Sequence, residues 1–171
     1  MHHAVWSLRS DLVPNLCASA AADSFEDAVS ALQRGDSTLA AQLFRPLAEQ
    51  GDLQAQIKLG WLYEKGQGVQ QSDQEAVKWY RKTAGQGNAE AQAFWGAMYF
   101  KAVPQDHVRA YLWSDLAVQE YLRQGGKNME TEQRRDAIAT QLTSPQIAAI
   151  QRLARQCRVS HYRNCESLAI Y

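Results

Sequence analysis

Residues 53–88 read LQAQIKLGWLYEKGQGVQQSDQEAVKWYRKTAGQGN, and the stretch that follows, AEAQAFWGAMYF, begins the same pattern again 36 residues later. Four residues recur at identical spacing. Self-similarity with a period of roughly 20–50 residues is typical of repeat proteins, in which each unit is one supersecondary element. The pattern predicts a stack of units that bury their apolar faces only against their neighbours. The recurring residues are Ala55, Gln56, Gly60 and Tyr63, which return as Ala91, Gln92, Gly96 and Tyr99.

Each unit is predicted to be a pair of helices. Gly66 suits the C-cap of the first helix, and Ser72 with Glu75 forms a capping-box pattern that opens the second. Gly60 and Gly96 lie beside the apolar stripe of each first helix, where we expect a neighbouring helix to approach closely. The apolar stripes at helical spacing are Ala55, Leu59, Leu62 and Tyr63 in the first helix and Ala76, Trp79, Tyr80 and Thr83 in the second.

The same frame extends in both directions. FEDAVSALQRG and AAQLFRPLAEQGD supply an earlier helix pair, and after Lys127 the repeat is lost. Two more helices follow, a polar one at about 129–142 and a last one for which Ser144 is a suitable N-cap and Pro145 a suitable first residue. We therefore expect an all-α superhelical solenoid of stacked helix-turn-helix units. Its predicted parts are a tail or degenerate signal-like segment at 1–23, one domain at 24–157 with repeats at about 24–52, 53–88 and 89–126 and a capping helix pair at about 127–157, and a C-terminal tail at 158–171.

Composition narrows the classes of partner. Lys plus Arg total 18 and Asp plus Glu total 18, so the formal net charge is zero. A chain without excess positive charge has no global attraction for nucleic acid, and we expect no nucleic-acid partner. No stretch has the roughly 18 uncharged apolar residues of a membrane-spanning helix. We expect a monomer.

The N-terminus leaves the location of the protein open. Ala18-Ser19-Ala20 suits a signal-peptidase site, but Arg9, Asp11 and Pro14 interrupt the apolar segment that should precede it. Three interpretations of this segment stay open: an export signal, a disordered tail and a misplaced start codon. The protein is expected to be either exported to the periplasm or cytoplasmic.

The repeat resembles the Sel-one-like repeat, a relative of the tetratricopeptide repeat that is abundant in bacteria. The unit of that family runs approximately AEAQxxLGxxYxxGxGVxxDxxKAxxWYxKAAxQGN, and residues 53–88 match it at more than a dozen positions. The third unit departs from it in a loop shortened by two residues at Ala102-Val103-Pro104 and in Trp95, which replaces the usual leucine. The resemblance covers about residues 25–155.

The resemblance implies a bacterial adaptor that binds a protein or peptide partner and generally has no chemistry of its own. The alternative is a cell-envelope enzyme related to a cysteine-rich branch of the family, acting on β-lactam or peptidoglycan-type substrates. No GxSxG, HExxH, CxxC or SxxK motif occurs in the sequence. We therefore expect no catalytic residue, no cofactor and no metal.

The resemblance also implies where a partner binds, because in tetratricopeptide-like stacks the first helix of each pair lines the concave face. Trp61 lies outside the predicted apolar stripe, and a large aromatic there is a candidate anchor for a partner. The alternative is that it packs against the neighbouring unit or the N-terminal tail. The predicted partner-binding residues are Gln54, Ile57, Trp61, Glu64, Lys65, Glu90, Phe100 and Lys101, with Ala93 and Ala97 at equivalent positions.

Two features near the C-terminus have several readings. Cys157, His161 and Cys165 share one face of a continuous helix, but zinc normally takes four ligands and no fourth is evident. Cys157 and Cys165 could instead form a disulfide if the helix breaks between them, or stay unpaired. The arginines at 152, 155, 158 and 163 are either a solvated helix face or a docking patch for an acidic partner.

Overall fold

A computed structural model of the chain describes residues 15–101, 106–162 and 165, with side chains from residue 24 onward. These residues form helices and connecting turns, with no strand among them. No described helix is both long enough and apolar enough to cross a membrane. The helices are α1 (Asn15–Gln33), α2 (Ser37–Gln50), α3 (Leu53–Lys65), α4 (Asp73–Ala84), α5 (Ala89–Lys101), α6 (His107–Arg123), α7 (Met129–Ala139) and α8 (Ser144–Val159).

The helices stack in chain order, as the repeat predicts. From α1 to α7 each helix packs against the next, so α1/α2, α3/α4 and α5/α6 are three successive hairpins. The end of the stack differs from the expected capping pair, because α7 and α8 both pack on α6 and contact each other little. The last hairpin is thus covered by two separate helices.

The core consists of two clusters of buried side chains. One cluster joins α1, α2, α3 and α4 around Phe44, Leu59 and Leu62. The other runs from α3 to α8 and includes Tyr80 and Trp95. The third helix contributes to both clusters, so it connects the N-terminal and C-terminal parts of the stack.

Gly60 and Gly96 lie at close helix crossings, as predicted. A Cβ atom on Gly60 would come within 2.7 Å of the Tyr80 ring on α4. A Cβ on Gly96 would come within 2.6 Å of Ser114 Oγ and within 3.1 Å of the Ala110 carbonyl oxygen on α6. In each hairpin a missing side chain on the first helix lets the second helix approach.

The recurring glutamines join one hairpin to the next. Gln56 Nε2 donates a hydrogen bond of 2.9 Å to the carbonyl of Ala48 near the end of α2, and Gln92 Nε2 donates one of 3.3 Å to the carbonyl of Ala84 at the end of α4. Both glutamine side chains are fully buried. Thr83 Oγ1 donates to Gln56 Oε1 at 2.7 Å, so the first of these links also includes α4.

Two predicted boundaries shift in the structure. The first helix begins at Asn15, ten residues before the expected start at Phe25. Thr143, and not Ser144, is the N-cap of α8, because Thr143 and Gln146 exchange both hydrogen bonds of a capping box. The shortened loop of the third repeat, including residues 102–105, lies outside the described residues.

The chain reverses direction after α8. His161 and Tyr162 adopt positive φ angles of 52° and 61°, and the Tyr162 amide donates to the carbonyl of Cys157 at 2.7 Å. This turn breaks the helix between the two cysteines and returns Cys165 to the core. Cys157 and Cys165 are both buried.

We predict that alanine at Gly60 or Gly96 destabilises the fold although alanine favours helices. In an open helix the change from glycine would stabilise by about 1 kcal/mol. Here the added methyl group must displace Tyr80 or the backbone of α6, and overpacking of this kind costs about 1–3 kcal/mol. We expect Gly60→Val to cost more. Urea unfolding measures each change.

Gly126→Ala is the control, because a Cβ there meets only the Tyr121 carbonyl oxygen at an ordinary 3.7 Å. If Gly96→Ala unfolded at the same urea concentration as Gly126→Ala, the close crossing of α5 and α6 would be wrong.

Among the alternatives that the sequence leaves open for Cys157 and Cys165, the turn favours a disulfide under oxidising conditions. A hydrogen bond with Cys165 lowers the pKa of the Cys157 thiol, which favours the reactive thiolate. With oxidised glutathione, the two thiols should lose two hydrogens and form a disulfide while one glutathione disulfide is reduced to two thiols. In the chain-entropy description, closing so short a loop adds about 2–3 kcal/mol to the free energy of unfolding.

Mass spectrometry of a Cys17→Ala chain after oxidation, unfolding and alkylation tests the prediction. A linked peptide containing both cysteines is the expected product. Full alkylation of both cysteines would contradict it.

Candidate functional site

A cleft between the second and third repeats is the candidate site. Its volume is about 570 Å³, within the range of small-ligand and peptide pockets. The end of α3, the start of α4 and the last turns of α5 form its walls. The cleft is lined by Glu64, Lys65, Gln71, Asp73, Gln74, Val77, Trp95, Met98, Tyr99 and Lys101.

The loop between α3 and α4 sets the position of the wall that the end of α3 and the start of α4 form. Gly66 ends α3 in the left-handed conformation, with φ of 63°, and the chain turns there. Gln71 Nε2 donates to the carbonyl of Glu64 at 3.1 Å, and the Ser72 amide donates to the carbonyl of Tyr63 at 3.0 Å. These bonds hold the start of α4 against the end of α3.

The interior of the cleft is largely apolar and aromatic. Trp95 is almost fully buried, and its ring centroid lies 5.9 Å from that of Tyr99. Arg81 lies over the Trp95 ring and Arg109 over the Tyr99 ring, at 5.8 and 5.9 Å from the ring centroids. Cation–π contacts of this kind hold the two aromatic rings in place.

Three charged side chains meet at the rim of the cleft. Lys65 Nζ and Lys101 Nζ each lie 3.1 Å from the same atom, Glu64 Oε1, while the Tyr80 hydroxyl donates to Glu64 Oε2 at 3.2 Å. Burial alone would raise the pKa of Glu64, but the hydrogen bonds from Lys101 and Lys65 outweigh it and the pKa is lowered. Glu64 is therefore ionised at neutral pH and serves as the shared counter-ion of two lysines.

Tyr80 on α4 also belongs to this group, because its hydroxyl contacts Glu64. Burial, together with the neighbouring Glu64 charge, raises the pKa of its hydroxyl strongly. The Tyr80 hydroxyl therefore keeps its proton and remains a hydrogen-bond donor to Glu64. Its ring stacks on Phe94 at 5.0 Å between centroids.

A second cavity, of about 540 Å³, lies on the other side of Gln71. Arg45 Nη2 donates to the Tyr63 hydroxyl at 2.7 Å at its border. Its lining residues are Arg45, Tyr63, Val69, Gln70, Gln71, Ser72 and Glu75.

The structure brings together three of the predicted partner-binding residues, Glu64, Lys65 and Lys101. Gln54 and Glu90 lie in the first turns of α3 and α5, about 15 Å along the helix axis from the lysines. Phe100 is half-buried, and its ring lies 6.0 Å from that of His107.

Ile57 and Trp61 are placed differently from the expected exposed face. Ile57 is 1 % exposed and belongs to the core, so in this structure it cannot contact a partner. Ala93 and Ala97 are buried as well. Trp61 is half-buried and packs against the N-terminal core cluster, the packing alternative considered from sequence. The burial of Ile57 and the partial burial of Trp61 make the apolar sector of α3 wider than one stripe.

Sequence reasoning missed the floor and one wall of the cleft. Trp95 is buried, but it also lines the cleft. Its departure from the leucine of the repeat pattern was the available signal. Gln71, Asp73 and Gln74 had no signal beyond helix capping.

The side chains of the cleft offer both polar and apolar contacts for binding. Its described lining holds carboxylates, ammonium groups, amides and apolar rings, without a serine, cysteine or histidine. In the described part of the chain no three His, Cys, Asp or Glu side chains are grouped to hold a metal ion. The arrangement can bind an apolar group together with a charged one.

Comparisons with known proteins place the chain among repeat proteins. The family model of the Sel1 repeat matches residues 30–52, 53–88 and 89–120. A protective antigen present in uropathogenic Escherichia coli strains, with an SLR fold, has a TM-score of 0.71 at 25 % identity over 87 % of this chain and 33 % of the antigen. A Sel1 repeat protein from Oxalobacter formigenes has a TM-score of 0.57 at 30 % identity, covering 74 % of this chain and 96 % of that protein.

One curated relative is similar over a single stretch. DAP3-binding cell death enhancer 1 of Rattus norvegicus is 47 % identical over 57 residues, which are 33 % of this chain and 11 % of that protein. The chain thus spans about a tenth of this relative and a third of the antigen. Sel1 repeats are generally non-catalytic scaffolds for protein–protein interaction. With three matched units covering more than half of its residues, the chain belongs to the Sel1 repeat family.

Proposed function

We propose that the protein is a non-catalytic adaptor that binds a segment of a partner protein along the first helices of its second and third repeats. The binding surface comprises Gln54, Trp61, Glu64, Lys65, Glu90, Phe100 and Lys101 together with the cleft. The observation that carries the proposal is the cleft itself, where side chains from two successive repeats meet at one apolar pocket.

Family membership supports an interaction role, and one relative is named for binding another protein. The composition of the cleft supports binding over chemistry, because its two lysines are paired as cations with an ionised Glu64 and its described lining holds no serine, cysteine or histidine. Exposed apolar and aromatic surface next to a polar rim is the usual anatomy of a protein-interaction site.

Site-specific photo-crosslinking tests the proposal. A photo-reactive amino acid replaces Gln54, Lys65 or Lys101, and the chain is exposed to an extract of its source cells. We expect the same partner to be crosslinked from all three positions, because they lie on one surface.

Glu49 on α2 and Lys82 on α4 are matched control positions, because both are exposed on second helices. Equal crosslinking of that partner from the control positions, or no crosslinked partner from the three test positions, would contradict the proposed surface.

Trp61→Ala tests the aromatic anchor. We expect partner binding to weaken by about 2 kcal/mol, the usual loss when an aromatic anchor is truncated. Because the ring packs against the N-terminal core cluster, Tm should fall as well. Trp61→Phe keeps an aromatic ring and should retain most of the partner affinity and most of the thermal stability. Full binding by Trp61→Ala with a lowered Tm would assign Trp61 to the core alone.

A further inference from the structure

The two lysines at the rim of the cleft have more charge than their counter-ion balances. Lys65 and Lys101 share Glu64 Oε1, so their nitrogens lie no more than 6.2 Å apart, since both distances of 3.1 Å end on the same atom. Two ammonium groups on one carboxylate leave one positive charge. Their side chains are 44 % and 60 % exposed, whereas that of Glu64 is 11 % exposed.

The repeat explains how this excess arises. Lys65 and Lys101 occupy the same position in successive repeats, 36 residues apart. The residue before each of them differs, because Glu64 in the second repeat becomes Phe100 in the third. The third repeat therefore supplies a cation without its own anion, and Lys101 turns to the anion of the second repeat.

Besides Glu64, one other acidic residue lines the cleft. Asp73 lies in the first turn of α4 and is exposed. The cleft as a whole is therefore electrically mixed, with the cations grouped at Glu64 and the additional anion on α4. An occupant with a single carboxylate fits only beside the lysines.

Resting on the function proposed above, we infer that the cleft binds an internal segment of a partner protein in which an aspartate or glutamate is adjacent to a large apolar side chain. The carboxylate pairs with Lys65 and Lys101 at the rim. The apolar side chain enters the pocket formed by Val77, Trp95 and Met98. A side-chain carboxylate and an apolar neighbour together contact both the lysines at the rim and the apolar pocket.

Blocked hexapeptides provide the direct test. Acetylated and amidated Gly-Ser-Asp-Leu-Ser-Gly has no terminal charge, and variants carry Asn for Asp or Ala for Leu. Chemical-shift changes in the ¹⁵N-labelled chain measure affinity and locate binding. We expect the Asp-Leu peptide to shift amides at the ends of α3 and α5, and each variant peptide to bind at least about tenfold more weakly, the loss expected for one charge-assisted hydrogen bond or one buried side chain.

Variants of the chain separate the charge effect from general electrostatics. Lys65→Gln and Lys101→Gln should each weaken the Asp-Leu peptide about tenfold, and added salt should weaken it for the unmodified chain. Lys127→Gln removes an exposed cation outside the cleft and should leave affinity unchanged. Asp73→Asn removes the opposing charge and should not weaken binding. Equal affinity for the Asn peptide, or equal affinity of Lys101→Gln and Lys127→Gln, would overturn the inference.

The same variants distinguish this inference from the proposed function. If Lys65→Gln and Lys101→Gln still crosslink the partner from position 54, the interaction surface stands and the acidic anchor is wrong. If no partner is crosslinked from any position while the peptide binds as expected, the adaptor role is wrong and the cleft is a site for short acidic segments.

Discussion

The hydrogen bonds from Gln56 and Gln92 determine how each repeat meets the next. The last carbonyls of a helix have no partner within that helix. At each junction one of them accepts from the amide of a glutamine in the following helix and also from a backbone N–H, that of Gly51 or Gly87. Both amides are fully buried, where an unpaired group would cost about 1–3 kcal/mol. The spacing of eight residues from donor to acceptor is the same at both junctions, so the same bond fixes the same geometry twice. The positions of α3 and α5, and hence the walls of the cleft, depend on it.

The close crossings within the hairpins supply the second constraint. At Gly60 the facing residue is Tyr80, and at Gly96 it is Ser114, which occupies the corresponding position on α6. The residue that faces the glycine becomes smaller, from Tyr80 to Ser114, whereas the residue before the glycine becomes larger, from Leu59 to Trp95. Large-with-small combinations keep a core filled while its shape changes. The exchange gives the third repeat a wide aromatic side chain, which forms the floor of the cleft.

Most of the fold could be predicted from the sequence because the signals are local. Gly66, Ser72 and Asp106 cap the helices as their residue types indicate, and the apolar spacing identifies the buried side of each helix. The face of α3 was predicted too narrowly. Ile57 lies off the main stripe and is buried in the cluster that runs from α3 to α8. The burial of a side chain against other helices is a tertiary property that the period of one helix does not contain.

The arrangement of charges in the cleft could likewise be predicted only in part from the sequence. Sequence placed Glu64, Lys65 and Lys101 on one surface, because they share a repeat position or neighbour it. The convergence of two lysines on one carboxylate oxygen requires the distance between successive repeats, which the glutamine bonds and glycine crossings set. A regular repeat would have paired each lysine with its own glutamate. The substitution of that glutamate by Phe100 breaks the regularity at one place, so two lysines share one carboxylate beside the aromatic pocket. In a repeat protein, a binding site of this kind arises where the shared pattern holds the backbone and a departure from it changes the side chains.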